Sequence, residues 1–267
     1  MLIGSVSCRL RGVGVTTERR RSIIVWGPPD SGKSLYLASL VLWLQGERER
    51  PHLAVLPADG AAAAWVTSRS RPFGSGIALE QATAPAARPC TFRVYETLPS
   101  ATAGARRSRV VAELTQGDVA FGDPAVARLE DAAGVVLLLP AASMSARADL
   151  RVAHVSWLTA TLARLPETLG AAPPTVLLPV AVCLTQTDAV PDAARRDAVQ
   201  WLESFGTETT RALRAHCARF AVFKVSSLGH PPRDRDGVLV VPTTPEPQGV
   251  LAPIRWILSQ SEIEAAA

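Results

Sequence analysis

The hydrophobic residues of this chain fall into short unbroken runs, separated by longer stretches with helical spacing. Two of the runs cover residues 22–26 and 134–140, where nearly every side chain is apolar, as in parallel strands that are buried on both faces. Between the runs, residues such as Val155, Leu158 and Leu162 recur at intervals of three and four, which places them on one face of a helix. This alternation predicts an α/β fold with helices on both faces of a mostly parallel sheet.

The same criteria predict the individual elements. Strands are predicted over 22–26, 91–97, 109–114, 134–140, 175–185 and 220–226, with a short extra strand over 238–241. Helices are predicted over 35–45, 124–132, 145–166, 191–218 and 250–263, the fourth with a break at Gly206. The strands over 91–97 and 109–114 are expected to form an antiparallel hairpin beside the first strand. We therefore predict a six-stranded sheet with one antiparallel edge strand.

Two segments carry weaker patterns. Residues 57–89 are rich in Ala, Gly, Pro, Ser and Thr and predict a long loop, which in a compact domain is typical of a functional segment. In residues 1–21, Val6, Cys8 and Leu10 alternate with polar residues, so this lead-in is either an extra half-buried strand or an irregular approach to the first strand. We expect a single domain over 22–264.

Composition narrows the class of protein. Apolar residues make up 48% of the 267 residues, and the net charge is +4. No stripe of basic and aromatic side chains indicates a nucleic-acid surface, and the four cysteines are not spaced as zinc ligands. Residues 1–20 carry no apolar run of signal-peptide length, and no stretch is long enough for a membrane span. We expect a soluble, cytoplasmic protein with reduced cysteines that does not bind nucleic acid.

The most informative stretch lies between the first predicted strand and the first predicted helix. It reads Gly27, Pro28, Pro29, Asp30, Ser31, Gly32, Lys33 and Ser34. The two glycines permit backbone angles that a side chain would forbid, so the loop can turn its amides onto phosphate oxygens. The positive end of the following helix points at the same place. We predict a phosphate-binding loop (the P-loop) in a three-layer P-loop NTPase fold, and hence nucleotide binding.

Two residues of the P-loop carry its chemistry. The Lys33 ammonium is expected to reach the terminal phosphates and to act in catalysis, and the Ser34 hydroxyl to ligate Mg²⁺ as the cofactor. The alternative is a glycine and proline turn with a solvent-exposed lysine. The strand before the stretch and the helix after it favour the P-loop.

Polar residues also follow the later strands, at the carboxyl ends where parallel sheets bind ligands. The order of these motifs resembles that of the Ras-like, translation-factor-related GTPases, whose guanine motif reads Asn/Thr-Lys-x-Asp after the fifth strand. The resemblance implies that Asp188 accepts hydrogen bonds from guanine N1–H and the 2-amino group, a pair of donors that adenine lacks. The structural alternative for Asp188 is an acid at the start of the helix that contains Pro191.

The resemblance also assigns the other motif residues. It implies base contacts from Thr185, Gln186, Ser226, Ser227 and Leu228, and a phosphate contact from Gly117. More narrowly, the chain resembles the GTPase-like domains of bacterial conflict and signalling systems, called double-GTPase domains. This likeness spans about residues 22–260 and rests on the proline-bearing P-loop, the apolar run over 135–140, and the ending over 249–258.

The chain departs from the family pattern in two places. Leu114 stands where an Asp-x-x-Gly motif ending at Gly117 would place the acid that holds Mg²⁺ through water, and leucine cannot coordinate metal. Glu113 and Asp118 are the neighbouring carboxylates. Gln186 replaces a lysine that packs along the base and tethers the P-loop, which is expected to weaken affinity.

The resemblance implies a guanine-nucleotide switch with slow or partner-stimulated GTP hydrolysis. Residues 57–89 would be a switch-like insertion that senses the γ-phosphate through Thr67, Thr83 or Thr91, and a protein effector or regulator would read the result. An ATP-binding P-loop enzyme and a non-hydrolysing nucleotide-binding interaction module are the alternatives. The departure at Leu114 favours the interaction module.

Overall fold

The structure of the protein, a computed structural model, describes residues 22–46, 53–70, 90–99, 106–116, 129, 132–170, 175–236, 238–241 and 244–266. Several predictions lie outside these residues. They concern the lead-in over 1–21, nearly all of the helix over 124–132, residues 71–89 of the predicted loop, Gly117, and Asp118.

Strands and helices alternate along most of the described chain. The strands are β1 Ser22–Trp26, β2 Leu53–Pro57, β3 Thr91–Pro99, β4 Arg106–Gln116, β5 Ala132–Pro140, β6 Val180–Thr185, β7 Phe220–Lys224, β8 Arg233–Arg235 and β9 Val238–Val240. The helices are α1 Lys33–Gly46, α2 Gly60–Ser70, α3 Ala141–Ala146, α4 Ala148–Thr168, α5 Ala198–Phe205, α6 Thr207–His216 and α7 Ala252–Ala266.

The main sheet has the strand order β2-β3-β4-β1-β5-β6-β7, and β8 and β9 form a separate hairpin, within the residues that the structure describes. Strands β4, β1, β5, β6 and β7 are parallel, whereas β3 is antiparallel to both β2 and β4. The α/β fold is confirmed, and this arrangement is consistent with a P-loop NTPase type. The sheet has one strand more than the sequence predicted, because β2 adds to the hairpin, and the antiparallel strand lies one position inside the edge.

The two faces of the sheet are covered by different helices. Successive side chains of β5 lie on opposite faces of the sheet, with Val136 and Leu138 in one core and Val135 and Leu137 in the other. Helices α1, α2 and α7 supply the first core, and α4, α5 and α6 supply the second. Burial on both faces explains why the β5 sequence is an unbroken apolar run.

The predicted loop over 57–89 is wrong for its first part, because residues 60–70 form helix α2. Asp59 caps this helix by accepting a hydrogen bond of 2.8 Å from the Ala62 amide. Trp65 is buried on the same face of α2 as Ala62, and its ring centroid lies 5.7 Å from that of Phe92. The alanine run hid the helix, since alanine has a high helix propensity but gives almost no hydrophobic periodicity.

The helix predicted over 191–218 is shorter and is preceded by turns. Two 3-10 turns cover Thr187–Ala189 and Ala193–Arg195, and α5 begins only after Asp197, whose carboxylate accepts a 2.9 Å hydrogen bond from the Gln200 amide. The break at Gly206 separates α5 from α6, as predicted. Residues 186–197 are therefore a series of tight turns at the carboxyl end of β6.

Parallel strands bring their carboxyl ends to one edge of the sheet. The P-loop follows β1, the 186–197 turns follow β6, and residues 225–229 follow β7. All three segments thus lie at the edge of the sheet where open α/β sheets in general bind their ligands. No helix among the described residues combines the length and apolarity that crossing a membrane requires.

Candidate functional site

The P-loop turns sharply between β1 and α1. Gly32 has φ +84°, and Asp30 adopts the left-handed region with φ 60°. A Cβ on Gly27 would lie 2.3 Å from the Ser31 Oγ and 2.9 Å from the Leu138 carbonyl oxygen. Both predicted glycines are therefore required by the geometry, Gly32 by its backbone angle and Gly27 by close packing.

Lys33 lies over the first residues of the P-loop. Its Nζ donates hydrogen bonds to the carbonyl oxygens of Gly27 at 2.6 Å and Pro28 at 3.0 Å. Helix α1 begins at the same residue, and its first turn contains no acidic side chain. The ammonium and the positive end of the helix together make this loop a place of positive potential.

The turn after β6 contacts the P-loop directly. The Thr185 hydroxyl lies 2.8 Å from the Ser31 carbonyl oxygen and 3.0 Å from that of Leu139, and it donates to this pair of acceptors. Gln186 has φ 58°, and its Nε2 donates a 2.9 Å hydrogen bond to the Asp30 carbonyl oxygen. Gln186 thus connects this turn to the P-loop, at the position where the GTPases that the sequence resembles carry a lysine.

Asp188 contacts the segment that follows β7. Its Oδ1 accepts a 2.6 Å hydrogen bond from the Ser226 hydroxyl, and the Ser226 Oγ in turn accepts a 2.7 Å hydrogen bond from the Gly229 amide. Ser226 is almost completely buried, whereas Asp188 and Ser227 are half-buried. The tertiary structure therefore brings together the two motifs that the sequence placed in the base site.

A segment before α7 supports the loop after β7, and the sequence analysis missed it. Ser226 and Gln248 exchange two backbone hydrogen bonds of 2.9 and 2.8 Å, and the Glu246 amide donates one of 2.9 Å to Leu228. Gly229 has φ +78°, and a Cβ there would lie 2.1 Å from the Glu246 carbonyl oxygen. The sequence gives no signal of this support, because Glu246 and Gln248 lie about twenty positions beyond the loop that they contact.

Neither Leu114 nor Glu113 of β4 supplies a carboxylate to the P-loop. Leu114 is fully buried in the core on the α1 side. Glu113 lies opposite Ser22, at the amino end of β1, about 13 Å of strand before the P-loop, and its Oε1 is 3.6 Å from the Arg93 Nε. Of the two neighbouring carboxylates, Glu113 is therefore ruled out as a substitute for the missing acid, and Asp118 lies outside the described residues.

The metal prediction fits these residues only in part. Ser34 lies half-buried in the first turn of α1 and offers one hydroxyl oxygen, a ligand type that Mg²⁺ accepts. No group of three or more His, Cys, Asp or Glu side chains that could hold a metal ion occurs in the described part of the chain. A single hydroxyl ligand would suit a Mg²⁺ ion whose other ligands come mainly from a bound polyphosphate.

Two of the three candidate switch threonines are described. Thr67 is exposed on α2, where its hydroxyl donates a 2.9 Å hydrogen bond to the Ala63 carbonyl oxygen. Thr91 begins β3 opposite Thr115, whose other neighbour is Ile24 of β1. Thr91 is therefore at the ligand-binding edge of the sheet, two strands from β1, while Thr83 lies outside the described residues.

His154 is a further residue near the P-loop that the sequence did not point to. It is buried on α4, and burial lowers its pKa below the ordinary value, while the Asp30 carboxylate opposes part of that change. A lone histidine on a helix gives no functional signal in sequence, which explains why it was missed.

Comparisons with known proteins give a distant likeness. No protein-family model matches the chain, and no curated protein matches it. Solved structures that resemble it include two mutation variants of SsGBP, at 12% identity and TM-scores of 0.42 and 0.34, covering 91% and 78% of this chain. The SsGBP and GDP complex resembles it at 11% identity and a TM-score of 0.36, covering 83%.

The chain spans about half the length of these structures, with 57%, 51% and 48% of each covered.

Proposed function

We propose that this protein binds guanine nucleotides and acts as a GTPase switch whose hydrolysis is slow or stimulated by a partner. The observation that supports the proposal best is the pair of hydrogen bonds between the P-loop and the turn that carries Asp188. They run from Gln186 to Asp30 and from Thr185 to Ser31. Because these bonds join the two motifs at one edge of the sheet, a single nucleotide could contact both.

The phosphates would bind at the P-loop. Pro28 and Pro29 have no N–H, so the amide donors would come from Asp30 onward and from the first turn of α1. The Lys33 ammonium, already held at the loop by two carbonyl oxygens, would neutralise charge on the terminal phosphates. Charge neutralisation and positioning are the main contributions of a protein to phosphoryl transfer.

The base would bind at Asp188. One of its carboxylate oxygens accepts the Ser226 hydroxyl, which orients the carboxylate and leaves acceptor positions for a ligand. Guanine offers N1–H and the 2-amino group side by side to such a carboxylate, and adenine does not. The backbone of Ser226, Ser227 and Leu228 would lie beside guanine O6.

Mg²⁺ is proposed to enter with the nucleotide, with Ser34 as its ligand from the P-loop. When bound, it would offset negative charge on the phosphate oxygens. Leu114 contributes nothing to that site because it is buried in the core, and Glu113 contributes nothing because it lies at the amino end of β1. Weak coordination of this kind is one reason to expect slow hydrolysis.

Full burial of Leu114 also favours a second candidate function, a nucleotide-binding interaction module that does not hydrolyse its ligand. In both cases a protein effector or regulator would read the nucleotide state at the P-loop edge. The two functions differ in turnover. Phosphate release from GTP in single-turnover conditions, with and without Mg²⁺, separates them, since release over hours supports the switch and its absence supports the module.

Base selectivity tests the proposal directly. Binding of GDP, GTP, ADP, ATP and XDP to the purified chain is expected to favour the guanine nucleotides. The substitution Asp188→Asn is expected to move the preference toward XDP, because an amide can donate to the extra xanthine oxygen. Asp192→Asn, a neighbouring aspartate with φ 56°, is the matched control and should keep the guanine preference. Wild-type protein that binds ADP as tightly as GDP would overturn the proposal.

A further inference from the structure

Lys224, the last residue of β7, is surrounded by backbone carbonyl oxygens. Its Nζ donates hydrogen bonds to the carbonyls of Ala193 at 3.2 Å, Ala194 at 2.8 Å and Arg196 at 2.8 Å. An ammonium has three N–H donors, and here each has its own acceptor. The side chain of one strand residue thus holds the Ala193–Arg195 turn and the residue after it, in the segment that follows Asp188.

The choice of lysine at this position is unusual for this chain. Of its 28 lysine and arginine residues, only Lys33 and Lys224 are lysines. A compact ammonium with three rotatable donors suits three converging carbonyls, whereas a guanidinium is planar and presents its donors as a fork. The contact therefore depends on lysine as such, and a positive charge alone would not reproduce it.

The segment that Lys224 holds is under conformational strain. Gln186 and Asp192 both adopt the left-handed region, with φ 58° and 56°, which costs free energy in residues other than glycine. Between them, the Thr187–Ala189 turn carries Asp188, and the Ala193–Arg195 turn follows. Such a segment keeps its shape only where neighbouring structure fixes it.

This segment is contacted by Lys224, at the end of β7, and by Ser226, just after that strand. Ser226 binds the Asp188 carboxylate at 2.6 Å, and Lys224, two residues earlier, binds the carbonyls at the far end of the turns. The carboxylate is thus held by Ser226, while Lys224 holds the turn that follows the one carrying Asp188. Removing the Lys224 ammonium would take away three hydrogen bonds at the far end of the turns and leave Val190 and Ala193, which are buried in the core, as attachments there.

We propose that Lys224 is a positioning residue for base recognition, which sets the backbone of the 186–197 turns so that the Asp188 carboxylate meets guanine. This inference rests on the proposed guanine-binding function and names a residue outside the motifs assigned to it. Its effect should appear in base selectivity, because ADP makes no use of the Asp188 carboxylate.

The experiment measures GDP and ADP dissociation constants for the full chain and its variants by titration calorimetry. Lys224→Met keeps the apolar stem and removes the three donors, and it is expected to weaken GDP binding about tenfold or more with ADP binding unchanged. Lys224→Arg keeps the charge, should fold as the wild type does, and is expected to lose part of the same selectivity.

Arg219→Met is the matched control. Arg219 precedes β7 at its other end, and its guanidinium also donates to backbone carbonyls, those of Leu177 at 2.7 Å and Gln260 at 3.5 Å. Its loss should leave the ratio of GDP to ADP affinity unchanged. Melting temperatures of all variants show whether each is folded.

The outcomes separate the two proposals. Wild-type protein without guanine preference overturns the proposed function, and this inference with it. Wild-type protein that prefers guanine, together with Lys224 variants that keep the preference or lose GDP and ADP affinity by the same factor, overturns the role of Lys224 alone. A selective loss of GDP affinity in Lys224→Met, absent in Arg219→Met, supports it.

Discussion

The Ser226 hydroxyl donates a hydrogen bond of 2.6 Å to the Asp188 Oδ1, across 38 residues of chain. Ser226 is itself fixed, because it is buried and accepts a hydrogen bond from the Gly229 amide. The orientation of the Asp188 carboxylate is therefore set by the protein before any ligand arrives. Pre-orientation of this kind lowers the cost of binding, and it makes the site testable one residue at a time.

Removing the Ser226 hydroxyl should weaken guanine binding. A hydrogen bond to a charged group contributes about 1.5–3 kcal/mol, so Ser226→Ala is expected to raise the GDP dissociation constant by about ten- to a hundredfold, with little change for ADP. Ser227→Ala is the control, since its proposed contact uses the backbone. Equal GDP affinities in both variants would contradict the role of the Ser226 hydroxyl.

Removing the Gln186 side chain should weaken nucleotide binding moderately. Gln186→Ala eliminates the 2.9 Å hydrogen bond to the Asp30 carbonyl, and a neutral hydrogen bond contributes about 0.5–1.5 kcal/mol. The GDP dissociation constant is expected to rise about two- to tenfold. Titration calorimetry measures it, with Gln200→Ala on the exposed side of α5 as the control. If the two variants bind GDP equally well, the tether does not contribute.

A side chain at Gly229 should destabilise the protein through both its backbone angle and its packing. Gly229 has φ +78°, and its Cβ would lie 2.1 Å from the Glu246 carbonyl oxygen. We expect Gly229→Ala to lower the free energy of unfolding by about 3 kcal/mol, measured by urea denaturation. Gly170→Ala isolates the backbone angle, because Gly170 has φ +60° with nothing within 4 Å, and should cost about 1–2 kcal/mol. Similar losses would show that the close contact relaxes freely.

His154 should make stability depend on pH in the acid range. Burial lowers the pKa of His154 below its ordinary value of 6.5, so the unfolded chain takes up a proton at a higher pH than the folded chain. The free energy of unfolding should therefore fall as the pH drops below 6.5. Urea denaturation across this range measures the decline, and His154→Gln should flatten it.

The Asp30 carboxylate supplies the counter-test for His154. It favours the protonated imidazole and so opposes part of the effect of burial. Asp30→Asn removes that attraction and is expected to make the loss of stability in acid steeper, while asparagine tolerates the left-handed backbone at this position. A decline that neither substitution changes would assign the pH dependence to other groups.

The strands of the fold were predictable wherever burial leaves a clear pattern. The unbroken apolar run of β5 follows from burial on both faces of the sheet and was predicted. Strands β3 and β4 were also predicted, with shorter bounds than the structure gives them. Helix α2 was missed because alanine favours a helix without marking its buried side. Strand β2 was missed because its five residues end in a proline that the pattern assigned to a loop.

The candidate site also has features that the sequence predicted and features that only the tertiary structure shows. By itself, the sequence determined the P-loop, because a glycine-bearing loop between a strand and a helix depends on neighbouring residues alone. It also indicated which residues follow β6 and β7. Only the tertiary structure decided that Gln186 and Thr185 contact the P-loop, that Ser226 orients Asp188, and that Lys224 fixes the turns between them, because those hydrogen bonds join residues that lie about thirty to more than one hundred and fifty positions apart.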